Sequence, residues 1–167
     1  MANKRQGRDE TPEERADRNL SELLQELRVA LPGVQVLFAF LLTVPFTQNF
    51  TQLNEGQQKL YYGVLIATGL ATALLIAPTA HHRLLFRQRD KEHLVKISNR
   101  YAIVGLAVLA TAILGALFLI GDYLYGTATT VSVTGAIGVV FAVVWYGLPL
   151  YRRSRLQPAE RGESGDD

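Results

Sequence analysis

Four stretches of this 167-residue chain hold no Asp, Glu, Lys or Arg: Val29 to Phe50, Leu60 to Ala80, Tyr101 to Gly121 and Val131 to Tyr151. A bilayer core about 30 Å thick takes roughly 20 apolar residues as helix, and each stretch meets that length. Peptide groups in lipid have no water to bond, so a spanning segment must satisfy them internally, as a helix does. The chain is therefore read as an all-α integral membrane protein, with four transmembrane helices in a bundle.

The segments between these stretches differ sharply in basic content. Lys4, Arg5, Arg8, Arg15, Arg18 and Arg28 precede the first. Arg83, Arg87, Arg89, Lys91, Lys96 and Arg100 lie between the second and third, and Arg152, Arg153, Arg155 and Arg161 follow the fourth. Only Lys59 falls elsewhere. Cationic segments near span ends stay on the cytoplasmic side. Both termini and the 81–100 connection are thus expected inside, in an N-in/C-in arrangement across a bacterial plasma membrane, with Thr47 to Lys59 and the Asp122 to Thr130 turn outside. The aromatic residues agree: all seven Tyr lie near expected span ends, Tyr61, Tyr62, Tyr123 and Tyr125 outside and Tyr101, Tyr146 and Tyr151 inside, where Trp145 joins them. Amphipathic rings favour the headgroup level, so they read as an interfacial belt.

Residues 1–10 are polar and read as a disordered N-terminus, and no small-residue cleavage pattern follows, so the first span is expected to be an uncleaved anchor. Thr11, Pro12 and Glu14 stand at N-cap, N1 and N3 spacing and should start a helix. Leu20, Leu23, Leu24, Leu27 and Leu31 then recur at the helical period opposite Arg18, Glu22, Gln25 and Glu26. That pattern predicts an amphipathic helix over 11–31 along the inner leaflet, with Pro32 and Gly33 bending the chain into the first span. The 81–100 connection is too charged to span but carries Leu84, Leu85, Phe86, Leu94, Val95 and Ile97, which helical extensions of spans two and three would shelter. One membrane domain over 11–155 and a disordered tail over 156–167 complete the expected organisation. Small residues at four-residue spacing (Gly63 with Ala67, Gly69 with Ala73 and Ala77, Ala107 with Thr111 and Gly115, Gly138 with Ala142) suit close helix packing, although none specifies a particular contact.

The chain has no cysteine, which removes disulfides, thiolate metal sites and thiol nucleophiles. Its formal charge of +2 is too small to point to nucleic acid. No phosphate loop, zinc motif or nucleophile elbow occurs, so catalytic, cofactor and metal residues are none and the chain is not expected to be an enzyme. An ionised group at the bilayer centre marks transport or catalysis, and no span has one. Asp122 at the outer end of span three and Lys59 at the outer start of span two are candidates for a structural ion pair. Gln35 is the conspicuous polar side chain within span one, a candidate for hydrogen bonding to a neighbouring helix or for lining a path. Pro45 frees a backbone carbonyl that water or Thr43 could satisfy. His81 and His82, with His93 further on, read as cationic interfacial residues rather than a metal or proton sensor, since adjacent histidines on a helix point about 100° apart. Arg83, Arg87, Arg89 and Lys91 are the candidate contacts to anionic lipid.

The runs ELLQELRVALPGVQVLFAFLLTVPF (Glu22 to Phe46), LIAPTAHHRLLFR (Leu75 to Arg87) and WYGLPLYRR (Trp145 to Arg153) resemble an uncharacterised family of small actinobacterial membrane proteins, a domain of unknown function. Members are sometimes named sodium:proton antiporter. The resemblance covers residues 20–153 and implies four spans in a plasma membrane, with no established active site. Exchange of Na⁺ and H⁺ normally needs a carboxylate within the membrane, and every span centre here lacks one. The residues favour a non-enzymatic accessory, scaffold or lipid-contacting protein whose partners are inner-leaflet anionic lipids and a membrane protein or second copy. A small transporter or channel is the alternative.

Overall fold

The computed structural model describes residues 11–85, 91–148 and 151. Among them are four α-helices and no strand: α1 (Pro12–Thr43), α2 (Glu55–Leu85), α3 (Lys91–Tyr125) and α4 (Thr127–Ala142). All four are long and apolar enough to cross a membrane. The chain divides into two compact units, 1–112 and 113–167, with the division inside α3.

In the first unit, α1 starts as its sequence dictates. The Thr11 hydroxyl accepts from the Glu14 N–H at 3.3 Å and the Glu14 carboxylate from the Thr11 N–H at 2.9 Å, a reciprocal capping box with Pro12 behind it. The helix then continues through Pro32 and Gly33 to Thr43, so one element replaces the expected amphipathic helix and separate span. An internal proline removes one i→i−4 hydrogen bond, and the intact bonds on either side keep the helix continuous. Its buried stripe is Ala16, Leu20, Leu27, Val34 and Leu41, largely a seven-residue repeat that crosses Pro32 unbroken. Leu20 and Leu27, which the sequence assigned to the inner leaflet, are covered by the protein itself.

Two 3-10 turns, Val44–Phe46 and Gln48–Gln52, join α1 to α2. Asn54 and Gln57 form a second reciprocal cap there, each side chain accepting from the other's backbone N–H at 2.9 and 3.1 Å. Helix α2 packs along α1. It buries Tyr61, Val64, Thr68, Ala71, Leu75 and Pro78 at alternating three- and four-residue steps. The first half of α3 repeats that spacing with Ser98, Ala102, Gly105, Leu109 and Ala112. This 3.5-residue seam is the geometry of left-handed helix packing. In lipid it gains from small residues that let backbones approach, since no hydrophobic effect drives helices together there. Within this unit Gly105 marks the tightest approach at a glycine: a Cβ on it would lie 2.9 Å from Leu75 Cδ2 and 3.2 Å from Leu74 Cβ. Sequence reasoning pointed to other glycines. Gly63 faces open space, and a Cβ on Gly69 would meet Phe38 at an ordinary 3.6 Å.

The helical extensions of spans two and three are present, α2 reaching Leu85 and α3 starting at Lys91. The second unit holds the end of α3, a hairpin at Gly126 and α4. Gly126 has φ 81° and ψ 165°, a conformation essentially reserved for glycine. Its N–H donates to the Asp122 carbonyl at 3.2 Å, and its carbonyl accepts from the Thr130 N–H at 3.3 Å. The expected nine-residue turn shrinks accordingly to one residue between two helices. Beside it, a Cβ on Gly121 would come within 2.8 Å of Thr130 Cγ2, so glycine permits this approach too. Helix α4 passes at Val143 into a π-helical turn, Val143–Gly147, in which Trp145 meets Phe141 edge-on at 4.8 Å.

Candidate functional site

The polar side chains within the apolar helices fall into two groups. Most are hydroxyls that bond their own helix: Thr68 donates to the Val64 carbonyl and Thr72 to that of Thr68, both at 2.8 Å, and Thr111 donates to Ala107 at 3.0 Å. Thr130 and Ser132 do the same with Gly126 and Ala128, at 2.8 and 3.2 Å. Such groups carry no outward chemistry. The second group does more.

Tyr61 is 3% exposed and donates its hydroxyl to the carbonyl of Leu41, across from α2 to α1. Leu41 is the residue whose i→i−4 donor Pro45 removes, since proline has no N–H. The freed carbonyl is therefore met by Tyr61 rather than by Thr43, whose hydroxyl bonds Phe40 at 2.8 Å. The ring also meets Phe50 edge-on at 5.2 Å. Tyr61 thus leaves the expected interfacial belt and becomes a strut between the two helices, while Tyr62 stays exposed. Near the other end of the same unit, His81 Nδ1 lies 2.8 Å from the Ala77 carbonyl and its ring is tilted over Tyr101 at 5.4 Å. A single hydrogen bond and a ring contact make a structural setting for this half-buried histidine. The side chains of His82 and His93 lie outside the described residues.

Gln35 sits on the exposed side of α1 without a hydrogen-bond partner among the described residues. The contact to a neighbouring helix that its sequence position suggested is not among those made by the described residues. Lys59 pairs with Glu55 one turn away at 3.5 Å, both side chains exposed. Asp122 accepts from the Thr127 hydroxyl at 2.7 Å across the hairpin. Each candidate of the expected ion pair thus has a partner close in sequence. Of the proposed lipid contacts, Arg83 is exposed on α2, Lys91 opens α3, and Arg87 and Arg89 lie outside the described residues.

Three further features were not singled out from the sequence. Ser98 is fully buried, and its hydroxyl has no partner among the described residues. A mixed cleft of about 360 Å³ is lined by Asn19, Glu22, Leu23 and Glu26 of α1 and Val95, Lys96 and Asn99 of α3. In the second unit, an apolar groove of about 310 Å³ runs between the end of α3 and α4, past Leu117, Leu124, Thr130 and Ile137. Nothing local marks these residues, because a cleft depends on which helix faces which. Among the described residues no three His, Cys, Asp or Glu side chains cluster as metal ligands would.

No curated protein and no solved structure matches the chain. A family match does exist, and it spans all four helices long enough to cross a membrane. Matched over residues 9–149, the chain belongs to the Family of unknown function (DUF6328).

Proposed function

We propose that this protein resides in a bacterial plasma membrane with both termini cytoplasmic and works by association, as an accessory, scaffold or lipid-contacting subunit. The reading implies no enzymatic activity of its own. The observation that carries it is the pairing of charge-free spans with outward apolar faces. Only 6–28% of each span's apolar window is buried within the chain, and most hydroxyls there bond their own helix. Such spans supply surface for lipid and helices rather than a polar path. The membrane-proximal cations Arg83, Lys96 and Arg100 are exposed on α2 and α3. Each cation near an anionic leaflet contributes up to about 1 kcal/mol.

The test is reconstitution. Replacing Arg83, Arg87, Arg89 and Lys91 together by Gln should reduce the anionic lipid retained by the purified protein, while proteoliposomes should show no Na⁺ or H⁺ flux above protein-free vesicles. Unchanged lipid retention removes the lipid role. Reproducible flux abolished by Gln35→Leu establishes a transporter instead.

A further inference from the structure

Among the described residues, three prolines interrupt the backbone bonding in or at the end of the apolar helices, and they are treated differently. Pro45 frees the Leu41 carbonyl, which Tyr61 takes up inside the chain. Pro78 is fully buried in α2. Pro32 is exposed on α1, and by lacking an N–H it deprives the Arg28 carbonyl of its i→i−4 donor.

Three residues beyond Pro32 lies Gln35, also exposed and without a partner among the described residues. Arg28, Pro32, Gln35, Ala39 and Leu42 are all exposed and follow alternating four- and three-residue steps along one line of the helix. That line is a second 3.5-residue seam, distinct from the buried one at Leu27, Val34 and Leu41. Gln35 stands seven residues past Arg28, the last charge before the apolar run, or roughly 10 Å along the axis at 1.5 Å per residue. It therefore faces hydrocarbon, where an amide with two donors and an acceptor finds no water.

We infer that this seam is a self-association surface, on which a second copy of the chain packs its own α1 in parallel with Gln35 against Gln35. The inference rests on the association reading above and names its partner. The occupant follows from complementarity. Two copies inserted the same way bring identical residues to the same depth, and because each glutamine carries both donor and acceptor, the amide N–H of one can donate to the amide oxygen of its symmetry mate. Ala39 on the seam lets the helices approach, whereas the exposed Val36 and Phe40 point about 100° to the side. A lipid tail fills the same space but satisfies none of these polar groups.

The absence of native cysteine makes the test direct. Single-cysteine variants of the full chain, expressed in membranes, are oxidised and run without reductant. Disulfide dimers should form at Ala39→Cys and Leu42→Cys and should be weak at Val36→Cys and Phe40→Cys. Adding Gln35→Leu should reduce dimer at Ala39→Cys, and Gln35→Asn should retain more of it. In lipid, subunit-exchange measurements should show Gln35→Leu weakening the dimer by roughly three- to tenfold. Leucine favours the spanning helix, so the loss is not one of insertion. Equal cross-linking at Val36→Cys and Phe40→Cys, or dimers indifferent to Gln35→Leu, overturns the seam. A chain that stays single at every lipid dilution overturns self-association. The wider reading then stands or falls separately, on a stoichiometric second membrane protein or bound anionic lipid.

Discussion

Replacing Tyr61 by Phe removes one hydroxyl and keeps the ring that meets Phe50. What is lost is the donor to the Leu41 carbonyl, which Pro45 has left without its helical partner. Tyr61 is 3% exposed, so water cannot replace the hydroxyl without opening the contact between α1 and α2. A buried acceptor stranded in this way costs about 1–3 kcal/mol. Measured side-chain hydrogen bonds within membranes average nearer 0.6 and reach about 1.7. The lipid setting decides between the two scales, because the unfolded chain in a micelle also finds partners. We expect Tyr61→Phe to destabilise the protein by about 0.6–1.7 kcal/mol, measured by SDS-induced unfolding in mixed micelles and followed by circular dichroism. The decisive comparison is the double variant with Pro45→Ala. Alanine restores a backbone N–H where Leu41 needs one, so the hydroxyl should matter less, and the two changes should couple by at least about 0.5 kcal/mol. Strict additivity, or a Tyr61→Phe protein as stable as the parent, refutes the proposed division of labour between Tyr61 and Pro45.

Gly105→Val should cost about 1–3 kcal/mol, because Leu75 is 0% exposed and has nowhere to retreat from a Cβ 2.9 Å away. Gly63→Ala, whose Cβ meets nothing within 4 Å, should stay within about 0.5 kcal/mol of the parent in the same unfolding assay. Gly126→Ala places a side chain at φ 81° and ψ 165° and should cost about 1–3 kcal/mol, visible as earlier proteolysis at the hairpin in detergent.

Elements were legible in the sequence where the cause is local. The Thr11, Pro12 and Glu14 spacing gave the start of α1, because a capping box needs only its own four residues. Uncharged length gave four helices that can span, since lipid imposes one backbone solution. Faces were less legible. A small residue in a membrane helix looks the same whether it meets a neighbour or lipid, so Gly105 and Gly121 did not stand out from Gly63 and Gly69. Pro45 announced a freed carbonyl, yet its donor lies twenty residues away on another helix. Pro32 looked like a boundary between two elements and is an interior residue of one, because losing a single hydrogen bond does not end a helix held on both sides. The candidate surface was half visible: Gln35 stood out by its chemistry, but that it faces outward emerged only when the buried seam at Leu27, Val34 and Leu41 was located.

The proposed topology has four crossings with the basic segments inside. Single cysteines at Thr51, between α1 and α2, and at Asn99, near the start of α3, test it with a membrane-impermeant maleimide. Thr51→Cys should be labelled in intact cells and Asn99→Cys only after permeabilisation. Labelling of Asn99→Cys in intact cells, or labelling of both positions from the same side, would contradict it.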